Sequence, residues 1–317
     1  MRLALYGEHG FYQGAGHAGR RGDFITSPEV GPLFGVVLAR AIDSWWSELG
    51  EPAGFSVVEV GAGPGTLARS ITSAGPRFLE SGRYVAIETS DAQRSRHPEF
   101  VESVAELPGL ITCGVVLANE LLDNLPFRLF VFDGGWREAH VAVAKSGDFV
   151  EILGDAVADP PGFPQSAPLG TRLPLQEEAH AWIADVMQRL EAGRLVVFDY
   201  CTPETTELVG MPWRSWLRTY RQQEHGAHYL RDVGLQDITT QVCLDQLGLA
   251  DAHVSTQRDF LLRHGIDDLV EEGRRHWEEH RSSPDLRAMA MRSRVREAEA
   301  LCDMAGLGGF TVIEVKK

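Results

Sequence analysis

The chain has 317 residues, of which 44% are hydrophobic, and this length fits one large or two ordinary domains of a globular protein. Its formal net charge of -15 argues against nucleic acid as a partner, because binding the phosphate backbone needs clustered positive charge. The four cysteines show no disulfide or zinc spacing, and no apolar run reaches the roughly 18 residues of a membrane span. No signal-peptide layout is recognised at the start, so we expect a cytoplasmic protein without a membrane span.

The first 36 residues form a glycine-rich, irregular segment that we interpret as an N-terminal lid over residues 1–36. Asp23 and Thr26, near its end, are candidate contacts with a cofactor or a substrate. The alternative is ordinary helix capping, since Thr26 stands before Pro28 and proline is typical of a first helical position. A helix is then predicted over 30–49, where apolar residues recur at helical spacing.

Residues 57–66 contain the strongest indication of a binding site in the chain. A run of β-branched apolar residues typical of a buried parallel strand ends in a G-x-G-x-G turn, and a helix is predicted to follow. Glycines permit a positive φ and the close approach of a ligand, and doubly wound sheets hold nucleotide-like cofactors at such an edge. The candidate cofactor-binding residues here are Glu59, Gly61, Gly63, Gly65 and Thr66.

The spacing of this turn differs from that of a dinucleotide site, which needs G-x-G-x-x-G. With Glu59 two residues before the first glycine, it favours S-adenosylmethionine, which has no phosphate. Glu88 ends the next predicted strand, over 84–88, where its carboxylate would accept hydrogen bonds from both ribose hydroxyls. An NAD-dependent oxidoreductase and a purely structural turn are the alternatives.

A third short strand is predicted near 100–101 and a fourth over 113–118, and the fourth ends in the candidate catalytic residues Asn119, Glu120 and Asp123. The two carboxylates are three residues apart, which on a helical turn places them on one side. Paired carboxylates can hold the planar fork of a guanidinium and orient its nitrogen for methyl transfer. Alternatively, Asp123 caps the following turn and Glu120 is a solvated strand end.

Beyond residue 126 the hydrophobic period changes to two, which predicts an antiparallel meander. The elements that follow are meander strands over 127–131, 138–144 and 149–153, a proline-rich loop over 159–174, a helix over 175–192, a fifth parallel strand over 195–200, a polar excursion over 201–236, helices near 238–249, 257–264, 267–281 and 284–305, and a closing strand over 310–315. We expect the closing strand to pair antiparallel at or near the edge of the sheet.

Within the excursion, Trp213, Trp216 and Tyr220 recur at helical spacing, which favours core packing over a substrate platform. His225 and His228 follow in a short loop, where we favour surface residues over a general base. We assign no metal-ligand spacing, such as H-x-x-x-H with an acidic partner, to the eleven histidines, and therefore expect no bound metal.

Several motifs in one order resemble the MidA-like S-adenosylmethionine-dependent methyltransferases, a family that includes a mitochondrial arginine methyltransferase assisting respiratory complex I assembly. The motifs are residues 22–29, 59–67, 119–126, 236–239, 256–261 and 309–310. The resemblance implies a class I, Rossmann-like α/β fold with a seven-stranded, mostly parallel sheet and helices on both faces. It implies S-adenosyl-L-methionine as cofactor and, for the mitochondrial members, a protein arginine as acceptor, with a respiratory-complex subunit as one such partner.

Two departures from the family pattern bear on the site. Members usually have Asp-Tyr-Gly where this chain has Asp-Tyr-Cys at residues 199–201, so the turn after the fifth strand can differ in shape. Members also usually carry more chain before the segment matching residues 1–12, so either the true start lies upstream or the lid that would close over a substrate is shorter than in the family.

We therefore expect one methyltransferase domain over 1–317 that methylates a protein side chain, with arginine implied by the resemblance. Its parts are the lid segment over 1–36, a cofactor-binding half over 37–126, a meander and proline-rich insertion over 127–175, a helix and fifth strand over 176–200, a substrate-side insertion over 201–236, and C-terminal helices with the last strand over 237–317. The alternative function is an assembly or interaction protein that binds S-adenosylmethionine without transferring its methyl group.

Overall fold

The computed structural model describes residues 1–13, 26–221 and 224–317, which form two compact units. The first, called the sheet unit, comprises Ile25–Asn119, Met187–Phe198 and Ala252–Lys317. The second, called the meander unit, comprises Met1–Phe24, Glu120–Val186 and Asp199–Asp251. Within the described residues, no helix is both long and apolar enough to cross a bilayer.

Most of the described residues lie in strands and helices. The strands are β1 Ser56–Val60, β2 Arg83–Ile87, β3 Glu102–Val104, β4 Gly114–Asn119, β5 Arg128–Phe132, β6 Trp136–Val143, β7 Phe149–Val157, β8 Arg172–Leu175, β9 Gly193–Asp199, β10 Cys201–Thr202, β11 Leu217–Arg221, β12 Glu224–His225, β13 Asp237–Thr240, β14 Val242–Cys243, β15 His253–Thr256 and β16 Thr311–Lys316. The helices are α1 Arg2–Tyr6, α2 Ser27–Val30, α3 Leu33–Glu48, α4 Thr66–Ser73, α5 Asp91–Arg94, α6 Glu177–Arg189, α7 Trp213–Trp216, α8 Gln257–Arg263, α9 Ile266–His280 and α10 Leu286–Leu301.

The central sheet has seven strands in the order β15-β16-β9-β4-β1-β2-β3. The five strands from β9 to β3 pair in parallel, and β15 pairs antiparallel with β16. Gly193 and Lys317 exchange both backbone hydrogen bonds, which is the antiparallel pattern, between β9 and the chain end beside β16. The predicted seven-stranded, mostly parallel sheet is therefore confirmed, as is a closing antiparallel strand next to its edge.

Burial explains why these segments form strands. All five residues of β1 are buried, which a strand covered on both faces requires. The apolar sides of α3, α4, α8 and α9 pack with β1, β4, β9 and β16 into one core. At the starts of β4 and β9 only glycine fits: a Cβ on Gly114 would lie 2.0 Å from the Ser56 carbonyl oxygen, and one on Gly193 would lie 1.8 Å from that of Gly114.

The meander unit contains three small sheets, in the orders β7-β6-β5-β8, β12-β11-β13 and β10-β14. The predicted antiparallel meander is confirmed in β5, β6 and β7. The predicted proline-rich loop over 159–174 is wrong at its end, because β8 pairs antiparallel with β5. β8 is an edge strand, and an edge tolerates Pro174 because a residue without an N–H group can sit there.

Four other predictions need correction. The helix over 30–49 is interrupted: α2 ends at Val30, and α3 begins only after Pro32. The third strand lies at β3 instead of 100–101. The helix near 238–249 is wrong, since β13 and β14 occupy its first half, and β15 was not predicted. The aromatic stripe is not one helix, because α7 has four residues and Tyr220 lies on β11.

Candidate functional site

The glycine turn after β1 has the backbone conformation that its sequence predicts. Gly61, Gly63 and Gly65 have φ values of 73°, 52° and 78°, in the left-handed region that favours glycine. A Cβ built on Gly63 would meet no atom of the described residues within 4 Å, so among them the turn is open at this residue. Space beside a backbone without side chains is what close approach of a cofactor requires.

The structure brings Glu88 together with this turn. One carboxylate oxygen of Glu88 accepts the N–H of Gly63 at 3.0 Å, and the other accepts the N–H of Ser90 at 2.9 Å. The two predicted cofactor-binding elements, from neighbouring parallel strands, therefore form one arrangement. Charge-assisted bonds of this kind hold the carboxylate in a fixed direction.

His97 belongs to the same arrangement and was missed by the sequence analysis. Its Nε2 lies 2.8 Å from the carbonyl oxygen of Gly63, and its Nδ1 lies 2.8 Å from Oγ of Ser103. A carbonyl oxygen only accepts, so Nε2 carries a proton, and in the neutral imidazole Nδ1 then accepts from the serine hydroxyl. A histidine in a short irregular stretch gives no sequence pattern from which this contact could be foreseen.

The other predicted cofactor residues are placed as follows. The Thr66 hydroxyl donates to Oε1 of Glu29 at 3.0 Å, which links the start of α4 to α2. Thr26 is buried at the N-cap of α2, but its side chain makes no capping hydrogen bond there. Asp23 lies outside the described residues.

Glu59 lies inside the sheet unit and is only 5% exposed. Its Oε2 accepts the hydroxyl proton of Tyr84 at 2.7 Å. Burial raises the pKa of the Glu59 carboxyl to about 7, although the Tyr84 hydrogen bond opposes the rise. Its role as a cofactor ligand stays a prediction; the observed contacts fix the strand that carries the turn.

The raised pKa predicts a pH-dependent stability. The pKa of this carboxyl is about 7 in the folded protein and 4.5 in the unfolded chain. Its contribution to stability is therefore complete only below pH 4.5 and is lost as the pH rises toward 7. Glu59→Gln removes this loss. From pH 5 to pH 8, the free energy of unfolding of the variant should therefore rise by about 2–3 kcal/mol relative to that of the natural protein. Urea unfolding at both pH values measures it, with the exposed Glu106→Gln as control. An equal stability difference at both pH values would contradict the assignment.

A second group of side chains, the acidic cluster, lies in the meander unit and consists of Glu120, Asp123, Asp199 and Asp237. Asn119 on β4 and Phe198 on β9 are paired in the sheet. The next residue after each of them is an acid, Glu120 after Asn119 and Asp199 after Phe198. Asn119, a predicted catalytic residue, is the half-buried last residue of β4.

Glu120 has a φ of 52°, which is uncommon for a residue with a side chain. The hydroxyl of Tyr200 donates to its Oε2 at 2.7 Å. Burial, and next the charge of Glu120, raise the pKa of Tyr200, so this tyrosine keeps its proton and acts as a donor. A backbone conformation of this kind is maintained where neighbouring contacts hold the residue in place.

Asp123 and Asp199 are 2% and 0% exposed. Oδ2 of Asp199 accepts the N–H groups of Leu122 at 2.8 Å and Asp123 at 3.3 Å, and Oδ1 accepts that of Tyr200 at 2.8 Å. By contrast, Oδ1 of Asp123 has no hydrogen-bond partner among the described residues. Burial, and next the charge of Asp199, raise the pKa of Asp123 well above its usual range.

Asp237 is the third fully buried acid, with 0% exposure. Its Oδ1 accepts the hydroxyl proton of Tyr12 at 3.0 Å and a proton of the Asn124 amide at 3.2 Å. The ring of Tyr6 stacks on that of Tyr12 at 5.5 Å between centroids, so the first residues of the chain contact this part of the cluster.

The chemical property of the cluster is the burial of several carboxyl groups side by side, which raises the pKa of Asp123 and raises that of Asp199 to about 7. In the part of the chain that the structure describes, neither Asp123 nor Asp199 forms an ion pair with lysine or arginine. Buried carboxylates are costly unless they are paired with a cation or protonated. The arrangement therefore suits the binding of a cationic group. Asp199 was missed although it is the last residue of β9, and Glu59 and Glu88 likewise lie within one residue of the ends of β1 and β2. The sequence around Asp237 gave no comparable indication.

The aromatic residues of the excursion divide between core and surface. Trp216 is fully buried, as core packing predicts. Trp213 instead lines a cavity of about 260 Å³ together with Arg214, His228 and Tyr229. Burial lowers the pKa of His228, which favours its neutral form.

Comparison with known proteins adds the following findings. A sequence model of the family described as "Putative S-adenosyl-L-methionine-dependent methyltransferase" matches residues 37–259. The mitochondrial protein arginine methyltransferase NDUFAF7 of Rattus norvegicus is 26% identical over 309 residues, covering 81% of this chain and 67% of the rat protein. The homologue of Drosophila melanogaster is 33% identical over 169 residues, covering 43% of this chain and 38% of the fly protein.

Two crystal structures from Burkholderia thailandensis have the same fold. One, bound to S-adenosylhomocysteine, has a TM-score of 0.82 and 26% identity, and covers 100% of this chain and 86% of that chain. The other, in native form, has a TM-score of 0.80 and 26% identity, and covers 100% of this chain and 85% of that chain.

The comparisons also correct one expectation. The rat, fly and cattle relatives are named as mitochondrial proteins. These names point to mitochondria, so the cytoplasmic location expected from the sequence is contradicted. A chain without a recognisable leader pattern says little about location, which is set by short signals and not by the fold.

Proposed function

Because the chain belongs to the family of S-adenosyl-L-methionine-dependent methyltransferases, we propose that it methylates the guanidinium group of a protein arginine. The observation that carries the proposal is the acidic cluster, in which the described residues give Asp123 and Asp199 no ion pair with a cation. We further propose that both units belong to one functional domain, since the family match spans residues of each. When bound, S-adenosylmethionine supplies an electrophilic methyl group on a sulfonium.

For the donor, we propose that the glycine turn and Glu88 form the binding site. The turn is open at Gly63, and the Glu88 carboxylate is already held at its N–H group, in reach of a ligand in that space. Carboxylate oxygens have lone pairs beyond those used by two backbone donors, so Glu88 can also accept the ribose hydroxyls. Thr66 and Thr26 are proposed as further contacts, because each lies at the start of a helix, α4 and α2 respectively. Glu59 is proposed to support β1, the strand that carries the turn.

For the acceptor, we propose that Glu120 and Asp123 bind the guanidinium and that Asp199 and Asp237 support them. A guanidinium keeps its charge at any ordinary pH and presents five N–H donors in a plane. Asp123 has a free oxygen to accept one of them, and Tyr200 fixes the direction of Glu120. Burial, and next the charge of Asp199, raise the pKa of Asp123; a bound cation would oppose both effects, so the carboxyl would lose its proton on binding.

The same residues can manage the proton that the reaction releases. The nitrogen that gains a methyl group must lose a proton, and a carboxylate beside it is a suitable acceptor. Asn119 would orient the acceptor through its amide. This division of roles agrees with catalysis by orientation, in which the enzyme holds the nucleophile and excludes water.

The acceptor class is supported by the relatives, which are named as protein arginine methyltransferases. The matched regions cover 38% of the fly protein and 67% of the rat protein, so substrate and partner are proposed for this chain on similarity and on the cluster together.

The test is to identify the methylated molecule. The protein is incubated with methyl-labelled S-adenosylmethionine and a lysate from cells lacking its gene, and labelled peptides are located by mass spectrometry. We expect label on the guanidinium nitrogen of an arginine in one or a few proteins. Label on small molecules alone would refute the protein acceptor, and cofactor binding without any label would favour the binding-protein alternative.

A further inference from the structure

A group of metal-ligating side chains lies on α9, away from the residues proposed above. His276, Glu279 and His280 each offer a ligand atom, and these atoms all lie within 4.8 Å of one another. Residues three and four apart on a helix share one face, which explains the grouping. The segment reads H-W-E-E-H, so our expectation that the histidines lack such a spacing was wrong.

The two imidazoles are prepared as ligands by their surroundings. Nδ1 of His280 lies 2.8 Å from the backbone carbonyl oxygen of His276. Because that oxygen can only accept, Nδ1 carries the proton and leaves a lone pair on Nε2. Metal-binding histidines almost always donate their second ring N–H in this way, most often to a carboxylate or a backbone carbonyl.

His276 supplies an independent observation. Its Nε2 is buried and has no hydrogen-bond partner among the described residues. Its ring stacks on that of His280, with 4.2 Å between centroids and 25° between planes. A buried polar atom without a partner calls for an explanation, and an ion that completes its coordination is one.

We propose that His276, Glu279 and His280 form a binding site for a divalent transition-metal ion, with Zn²⁺ as the expected occupant. Two imidazoles and one carboxylate make a three-ligand set that leaves a position for water. Zinc–nitrogen bonds of about 2.0–2.1 Å place the ligand atoms of one ion roughly 3–4 Å apart, and the ligand atoms here lie within 4.8 Å of one another.

The position of the site indicates what the ion does. His276 and His280 span the last turn of α9, and Asp285 caps the start of α10 by accepting the N–H of Ala288. Binding would therefore fix the α9–α10 connection, a structural role separate from methyl transfer.

The test uses the full chain without a histidine tag, stripped of metal by a chelator. Calorimetric titration with Zn²⁺ should show one ion per chain, and Co²⁺ should give the visible absorption of nitrogen and oxygen coordination. We expect His276→Ala and His280→Ala each to weaken Zn²⁺ affinity at least about tenfold, and Glu279→Gln to weaken it less.

His140→Ala is the matched control, since His140 is an exposed histidine on β6 outside any such group, and its affinity for Zn²⁺ should be unchanged. Circular dichroism and S-adenosylhomocysteine affinity should be equal in all variants, which separates this test from that of the proposed function. Saturable Zn²⁺ uptake that persists in a variant carrying both His276→Ala and His280→Ala would overturn the proposal. So would the lack of saturable uptake up to about 100 µM Zn²⁺, a concentration at which a specific site should fill.

Discussion

Replacing Glu120 with glutamine and Asp123 with asparagine is expected to reduce methyl transfer by at least about 100-fold, because the acceptor loses its charged partners. Affinity for S-adenosylhomocysteine should change less than about twofold, since donor and acceptor rest on separate groups of residues. The fold should persist, because Oδ1 of Asp123 has no hydrogen-bond partner among the described residues to lose, and a neutral amide removes repulsion from Asp199.

The rate is measured as release of S-adenosylhomocysteine with the identified acceptor, and donor affinity by calorimetry. Asp148→Asn, in the exposed turn between β6 and β7, is the matched control and should keep full activity. Asp199→Asn is not suitable, because Asp199 accepts three backbone N–H groups and its change would disturb the turn itself. Unchanged turnover in the double variant would refute the catalytic role.

Replacing Glu88 with alanine is expected to weaken binding of S-adenosylmethionine by about 10- to 100-fold. Hydrogen bonds to a charged group contribute about 1.5–3 kcal/mol each, and the side chain also orients Gly63 at the centre of the turn. Glu88→Gln keeps the shape and one acceptor but loses the charge, so we expect an intermediate affinity.

Calorimetry with S-adenosylmethionine and with NAD measures this effect and also tests the dinucleotide alternative. Glu106→Gln, an exposed change in the same unit, should leave the affinity as it is. Equal affinity in the natural protein and in Glu88→Ala would mean that the donor binds elsewhere. Binding of NAD in place of S-adenosylmethionine would mean that the glycine turn is a dinucleotide site.

The glycine turn after β1 could be predicted from the sequence because its determinants are local. The turn, the strand before it and the helix after it lie within about twenty residues, and each glycine reports its own backbone conformation. Glu88 could be added because neighbouring parallel strands end at one edge of the sheet. His97 could not, since its contact with Gly63 depends on the path of an irregular segment.

The acidic cluster was predicted only in part. Glu120 and Asp123 follow a recognisable strand, but Asp237 begins β13, in a stretch for which we predicted a helix. Apolar residues there recur at a spacing that suits a helix, yet pairing of β13 with β11 decides the structure. Contacts between residues more than a hundred positions apart, such as that of Tyr12 with Asp237, have no local pattern.

The two glycines at the starts of β4 and β9 have a consequence at the opposite end of those strands. Gly114 and Gly193 admit no other residue beside the neighbouring backbone, so the strands can align in one way only. A slip by one residue would turn every side chain to the other face of the sheet. Glu120 and Asp199 each follow one of these glycines by six residues, so a mutation at either glycine would act on the proposed acceptor-binding acids through the strand that leads to them.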